Sequence, residues 1–405
     1  MLNKEQYTPI LKWKPAEQWA LEPLDEKTKD ALLPLIELVM PTVNNSKIVH
    51  QNGEKKKVKK SQEEIFAEVV KKFKEERINE IPNEIFKAWG SRPIFVDFTL
   101  LMEGELTTQL KVDALNSIVP AAMGLGAKLI PVLNLNDDDS IKAAACSLYG
   151  KYKEGLCLRI ASSDLLDPEK LNEKIGAFLA AFNLAEKEID LLVDIKAIQE
   201  KDGLYLQFLT ASQKIKNLGS WKNFIFASGA FPKDVGECEL DKPNFLPRAD
   251  WHGWFQHVRT QKLVRKPNYA DYTIRNPIFV EALQYYNSTT SIKYTLEKDW
   301  LVMKGKVAEF QYYLANAKLL VEDIIDDKNL FYGEKHCWGD KQIAEKAKHF
   351  HRYIKDTSLK GTGRAVDWIA WEINHHLKLV VDQIASLREK PIVHPSPSLS
   401  VHRSA

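Results

Sequence analysis

Cysteine is scarce. The 405 residues hold four, Cys146, Cys157, Cys238 and Cys337. They are far apart and form no CxxC or metal-ligand spacing, which excludes a disulfide scaffold and leaves reduced thiols as the expectation. An excess of either charge is also lacking: 57 basic and 55 acidic residues give a net charge of +2. The field of the whole molecule therefore favours no nucleic-acid partner, and any anion site must come from local clusters. No apolar run reaches the roughly 18 residues a membrane span needs, and Met1–Glu5 starts no apolar signal region. No membrane association and a cytoplasmic location are expected.

Short apolar segments ending in a polar residue are abundant. Ile189–Lys196 is the clearest: side chains two apart share a strand face, so Leu192, Asp194 and Lys196 align. The same design recurs at Tyr7–Lys14 (Lys12, Lys14), Leu33–Val39 (Glu37), Arg92–Thr99 (Asp97), Lys128–Asn136 (Asn134, Asn136), Glu154–Ile160 (Arg159) and Asn223–Gly229 (Ser228). Apolar positions at helical spacing lie between them, as in Leu171, Ile175, Phe178 and Phe182. Alternating βα units with near-continuous apolar strands predict an α/β fold, a (β/α)₈ TIM-like barrel with a helical C-terminal extension. A doubly wound open sheet is the competitor, but no GxGxxG follows the first strand. An eighth strand falls either on Asn268–Ile274 or on Ser291–Thr295, the latter pairing with 295–303 as a hairpin. The expected boundaries are a barrel domain at 1–305, a helical extension at 306–390 and a disordered tail rich in Pro and Ser at 391–405.

Function on a barrel sits at the carboxyl ends of its strands. Lys12, Lys14, Glu37, Asp97, Asn134, Asn136, Arg159, Asp194, Lys196 and Ser228 would gather there. Two readings are open: a self-neutralising plug of ion pairs, or a pocket for an anionic ligand such as a phosphorylated small molecule. Two catalytic versions use the same residues. Lys196 with Asp194 has the position of a Schiff-base lysine and its proton carrier. Glu37, Asp97, Asp194 and Asp271 could hold Mg²⁺ for a phosphodiesterase, although no histidine on the first seven strands supplies the acid and base. No dedicated metal-ligand set is expected, and whether the chain is an enzyme stays open.

Nucleic acid is a third option. The run Lys55–Lys60 and the interleaved Trp251, Trp254, Arg259, Lys262, Arg265 and Lys266 suit phosphates and stacked bases. A solvated lysine run and a buried tryptophan cluster explain them equally well. His375 and His376 are adjacent on a helix and face different directions, so core packing beside Trp368 and Trp371 is the expectation for them.

Several short segments together resemble the "beta protein" family of phage and bacterial genomes: Tyr7–Lys12, Pro34–Glu37, Val96–Asp97, Asp194–Lys196, Ala270–Tyr272, Ile292–Tyr294 and Trp371–His376. The resemblance spans nearly the whole chain and brings no settled activity. It implies residence in mobile or defence-associated gene clusters, hence a role in phage–bacterium conflict beside a partner protein from the same cluster. It also marks Lys12, Glu37, Asp97, Asp194, Lys196, Asp271 and Tyr294 as positions matching the family pattern, without roles. The combined expectation is an anti-phage component whose barrel mouth binds an anionic ligand or a partner.

Overall fold

A computed structural model of the chain describes residues 6–389 apart from 52–53, 102–104, 200, 202, 279–288, 308, 310, 324 and 326–328. The tail expected at 391–405 and the start of the Lys55–Lys60 run's neighbourhood (52–53) lie outside the described residues. Eight parallel strands close into a barrel: β1 (Thr8–Lys12), β2 (Leu35–Glu37), β3 (Pro93–Asp97), β4 (Lys128–Asn134), β5 (Leu156–Ala161), β6 (Ile189–Ala197), β7 (Asn223–Gly229) and β8 (Asn268–Asp271). Each strand pairs with its sequence neighbours, and β8 returns to β1 through Thr8 opposite Ala270. The (β/α)₈ TIM-like reading holds, and the first candidate for the eighth strand is the barrel strand.

Strand parity divides the core into two. Ile10, Leu35, Phe95, Ile130, Leu192 and Ala270 point inward and fill the barrel. Their odd-register neighbours, such as Leu11, Ile36, Val96, Leu191 and Phe226, meet the surrounding helices in a larger core. A barrel this small is closed by side chains, so the inward layers form a floor and only the last inward residue of each strand reaches the mouth.

Aspartates at or near the carboxyl end of three strands share one local device. Asp97, Asp194 and Asp271 each accept the backbone N–H two residues on, from Thr99 (2.7 Å), Lys196 (3.0 Å) and Thr273 (3.0 Å). This turn satisfies a donor that has left the sheet ladder. At β6 it coincides with a register shift between Asp194 and Ala197, and Lys196 takes a left-handed backbone at φ 60°. Such a bulge re-aims the next side chain, here Lys196, over the mouth.

The second candidate strand belongs elsewhere. Thr289–Thr295 pairs antiparallel with Asp299–Val307, and Pro243–Pro247 adds to the other side. Ile292, Tyr294 and Met303 of this sheet share a core with Tyr313 and Trp368 of the helices Gln311–Glu322 and Ala365–Glu389. A third helix, Trp338–Tyr353, completes the layer, and the last helix also packs on the first helix, Pro15–Leu21. The sheet at 289–307 thus packs with the helices that follow it, across the 305/306 boundary expected from sequence. Among the described residues no helix is long and apolar enough to cross a membrane.

Candidate functional site

The inward residue at the end of six successive barrel strands is polar: Lys12, Glu37, Asp97, Asn134, Arg159 and Asp194. Tyr272, one residue beyond β8 and in parity with Ala270, is the inward residue there. Arg159 is the hub. Its Nη2 lies 2.9 Å from Glu37 Oε1, 2.6 Å from Asp194 Oδ2 and 2.8 Å from the Tyr272 hydroxyl. Its Nη1 donates to Asp97, and Nε donates to Asp194 at 3.1 Å. Lys12 donates to the second oxygen of Glu37. The Tyr272 hydroxyl donates to Asp194 at 2.7 Å and accepts from Lys196 Nζ at 2.8 Å.

Three cations (Lys12, Arg159, Lys196) thus meet three carboxylates (Glu37, Asp97, Asp194). Five of these side chains are at most 9% exposed, whereas Lys196 is 43% exposed. Burial alone would raise the Glu37 carboxyl, but the charges of Arg159, Lys12 and Lys196 outweigh it and hold Glu37 at about 2. Burial likewise opposes Asp194, and the charges of Lys196 and Arg159 take it well below the carboxylate range. For Lys12, burial lowers the ammonium and the Glu37 charge works the other way. The network is therefore a floor of fixed, mutually satisfied charges under one solvent-facing ammonium.

The remaining sequence candidates divide. Asn134 lies at the rim and donates to Thr99 Oγ1 at 2.9 Å. Asn136 is exposed past the end of β4, where it accepts from Lys174 at 3.0 Å. Lys14 is half-buried immediately before the first helix. Ser228 is not at the mouth: it shares the parity of Phe224 and Phe226, which face the helices, and its buried hydroxyl lacks a hydrogen-bond partner. Asp271 is turned outward as well, accepting from Tyr7 (2.5 Å), Tyr269 (2.9 Å) and His376 (3.0 Å). Tyr294 lies in the sheet beyond the barrel, with its hydroxyl 2.9 Å from Asp340. One residue of register separates Asp271 from Tyr272, and that step moves a side chain across the sheet.

These placements bear on the chemical readings. The carboxylate set proposed for Mg²⁺ does not converge, because Asp271 faces away and the Arg159 guanidinium sits among the other three. Lys196 is ion-paired with Asp194 at 3.0 Å and Glu37 at 3.6 Å, partners an amine nucleophile would have to leave. The interleaved aromatics do not form a stacking surface: Trp251 and Trp254 are buried against each other and Tyr269. Arg265 is spent on the carbonyls of Leu218 and Trp221, beside the amino end of β7. Lys56, Lys57 and Lys59 are exposed on the hairpin formed by Ser46–Gln51 and Glu54–Lys59.

Sequence reasoning missed two features. Tyr272 ties Arg159, Asp194 and Lys196 together, and the signal for it was the register of the eighth strand. The other is a cleft of about 520 Å³ between the loops after β7 and β8 and the last helix, lined by Phe231, Arg275, Lys293 and Glu372 among others. The family model described as "Beta protein" matches residues 7–382. No curated protein matches the chain significantly.

Proposed function

Taking as premise that the chain belongs to the Beta protein family, we propose that its barrel mouth is a receptor for an anionic small molecule or an anionic group of a partner. The observation that carries this reading is Lys196. It is the exposed cation of an otherwise buried network, held on a bulged, left-handed residue by Tyr272 and Asp194. A non-glycine residue in that conformation costs about 1 kcal/mol or more. A solvated surface lysine needs no such positioning. Lys12 stands beneath it, and both ammonium groups lie 5.1 Å from the centre of the Tyr272 ring. A phosphate or carboxylate arriving at Lys196 would meet a preorganised donor whose buried neighbours have no freedom to lose.

We place this receptor in phage–bacterium conflict, as a sensor or accessory component of a defence gene cluster acting with a partner protein. The support for that setting is the family alone. The receptor reading is favoured over a catalytic one by the mutual satisfaction of the mouth: each carboxylate is engaged by a cation, and among the described residues no histidine pairs with them. The alternative, a barrel enzyme acting on a phosphorylated or nucleic-acid substrate with Lys196 and Asp194 or with Glu37 and Asp97, requires one of these groups to be freed when substrate binds.

Native mass spectrometry of the chain purified from its host at low salt tests the receptor reading. A retained anionic ligand in the wild type, lost in Lys196→Glu, is the expected result. Retention undiminished in Lys196→Glu would contradict it.

A further inference from the structure

Three histidines meet in the layer beyond the barrel, and their hydrogen-bond partners separate them. His376 sits between a donor and an acceptor: the Thr295 hydroxyl is 2.9 Å from Nδ1, and Asp271 is 3.0 Å from Nε2. One neutral tautomer satisfies both, with Nε2–H donating to Asp271. His375 sits between two acceptors. Its Nε2 is 2.8 Å from the carbonyl of Thr295 and its Nδ1 is 3.0 Å from Asp340 Oδ2. The carbonyl fixes the proton on Nε2, so the Nδ1 lone pair points at a carboxylate oxygen.

His336 repeats the pattern on the other side of the same atom. Its Nδ1 is 2.7 Å from Asp340 Oδ2, and its Nε2 is 3.3 Å from Asp382. No neutral tautomer satisfies either ring. An imidazolium donating from both nitrogens would satisfy either ring, but two of them would set like charges side by side, since the His336 and His375 ring centres are 5.4 Å apart. A cation shared by the two Nδ1 atoms and the carboxylate satisfies both rings without that repulsion, with each Nε2–H donating outward to a carbonyl or carboxylate. Metal-bound histidines are oriented in this way. The fourth donor is Cys337: its Sγ, one ring nitrogen each of His336 and His375, and an oxygen of Asp340 all lie within 4.8 Å of one another. Ligands around a tetrahedral zinc stand roughly 3.3–3.8 Å apart given bonds of about 2.0–2.3 Å, a few tenths of an ångström to about one ångström from these spacings.

We propose that His336, Cys337, Asp340 and His375 form a four-ligand site for a zinc-type divalent metal ion. Two imidazoles, one thiolate and one carboxylate match the borderline softness of that ion, and four protein ligands make the site structural, with none left open for a substrate. Binding releases the thiol proton of Cys337 and any proton held on either Nδ1. The other oxygen of Asp340 accepts from Tyr294 at 2.9 Å, which orients the carboxylate. Neighbouring geometry supports a clamp at this point. Gly339 approaches the last helix so closely that a Cβ there would lie 2.1 Å from the Trp371 carbonyl oxygen, and its N–H donates to Asn374. The ion would pin the start of the helix Trp338–Tyr353 to the last helix, and through Thr295 to the sheet.

The full chain, stripped with chelator and shown to be folded by circular dichroism, is titrated with Zn²⁺ against a chromophoric chelator, then with Co²⁺. One Zn²⁺ per chain is expected, with a tetrahedral Co²⁺ spectrum carrying a thiolate charge-transfer band. Cys337→Ser removes that band, and His336→Ala, at a partly exposed position, weakens Zn²⁺ uptake at least about tenfold. A folded wild-type chain that takes up no Zn²⁺ overturns the proposal, as does uptake unchanged by both substitutions. The wild-type titration decides the matter even if a variant misfolds.

Discussion

At the scale of single residues, Arg159 decides whether the barrel mouth exists. Its guanidinium bonds three buried carboxylates from three strands, and removing one partner of such a network leaves charge without compensation. Arg159→Met is expected to lose about 3–5 kcal/mol in urea denaturation at neutral pH, whereas an exposed pair such as Lys242–Glu239 would lose almost nothing. Glu37 gives the pH dependence. Its folded value of about 2 lies below the ordinary 4.5, so its contribution is complete above about pH 4.5 and disappears as pH falls toward 2. The difference amounts to on the order of 3 kcal/mol. Urea midpoints should therefore fall more steeply for wild type than for Glu37→Gln across that window and converge at its acid end. Parallel curves would show that Glu37 is not held by Arg159 and Lys12. This set was legible in the sequence wherever parity decided it: Lys12, Glu37, Asp97, Arg159 and Asp194 each stand two residues after an inward apolar side chain. Asp271 and Ser228 went astray because the registers of β7 and β8 were not fixed by any landmark of their own.

At the scale of elements, the bulge in β6 aims Lys196 over the barrel mouth. Lys196 holds φ near 60°, where glycine is at ease and other residues are strained. Lys196→Gly should be more stable than Lys196→Ala by about 1 kcal/mol, although both lack the ammonium. Equal stabilities would mean that the left-handed backbone is relaxed in solution. Gly339 makes a second element-level prediction. Gly339→Ala drives a methyl into the Trp371 carbonyl and should separate the helix Trp338–Tyr353 from the last helix, read as faster amide hydrogen exchange near Asn374. Neither device shows in the sequence. A bulge leaves no mark when its residue is a lysine, and a close helix approach needs both partners known. The apolar strands and the helical spacing were legible because burial on both sides forces them.

At the scale of the whole molecule, the barrel and the sheet-and-helix layer beyond it are joined by polar contacts as well as apolar ones. His376 reaches from the last helix to Asp271 of β8, and Asn374 reaches the carbonyl of Ala20 after the barrel's first strand. The fold class was readable from the repeat of βα units. The place of Pro243–Pro247 was not: it pairs antiparallel with Asp299–Val307, a distant partner that only tertiary packing supplies, whereas the hairpin of Thr289–Thr295 with that strand was one of the two readings open. The same packing removes Trp251 and Trp254 from the surface, and Lys196, 43% exposed, stands over the barrel mouth. Crystals soaked in a heavy oxyanion such as tungstate, with its sites located by anomalous scattering, test this account most directly. It predicts a site within hydrogen-bond distance of Lys196 Nζ that disappears in Lys196→Ala. Tungstate found at surface lysines while the mouth carries none would contradict it.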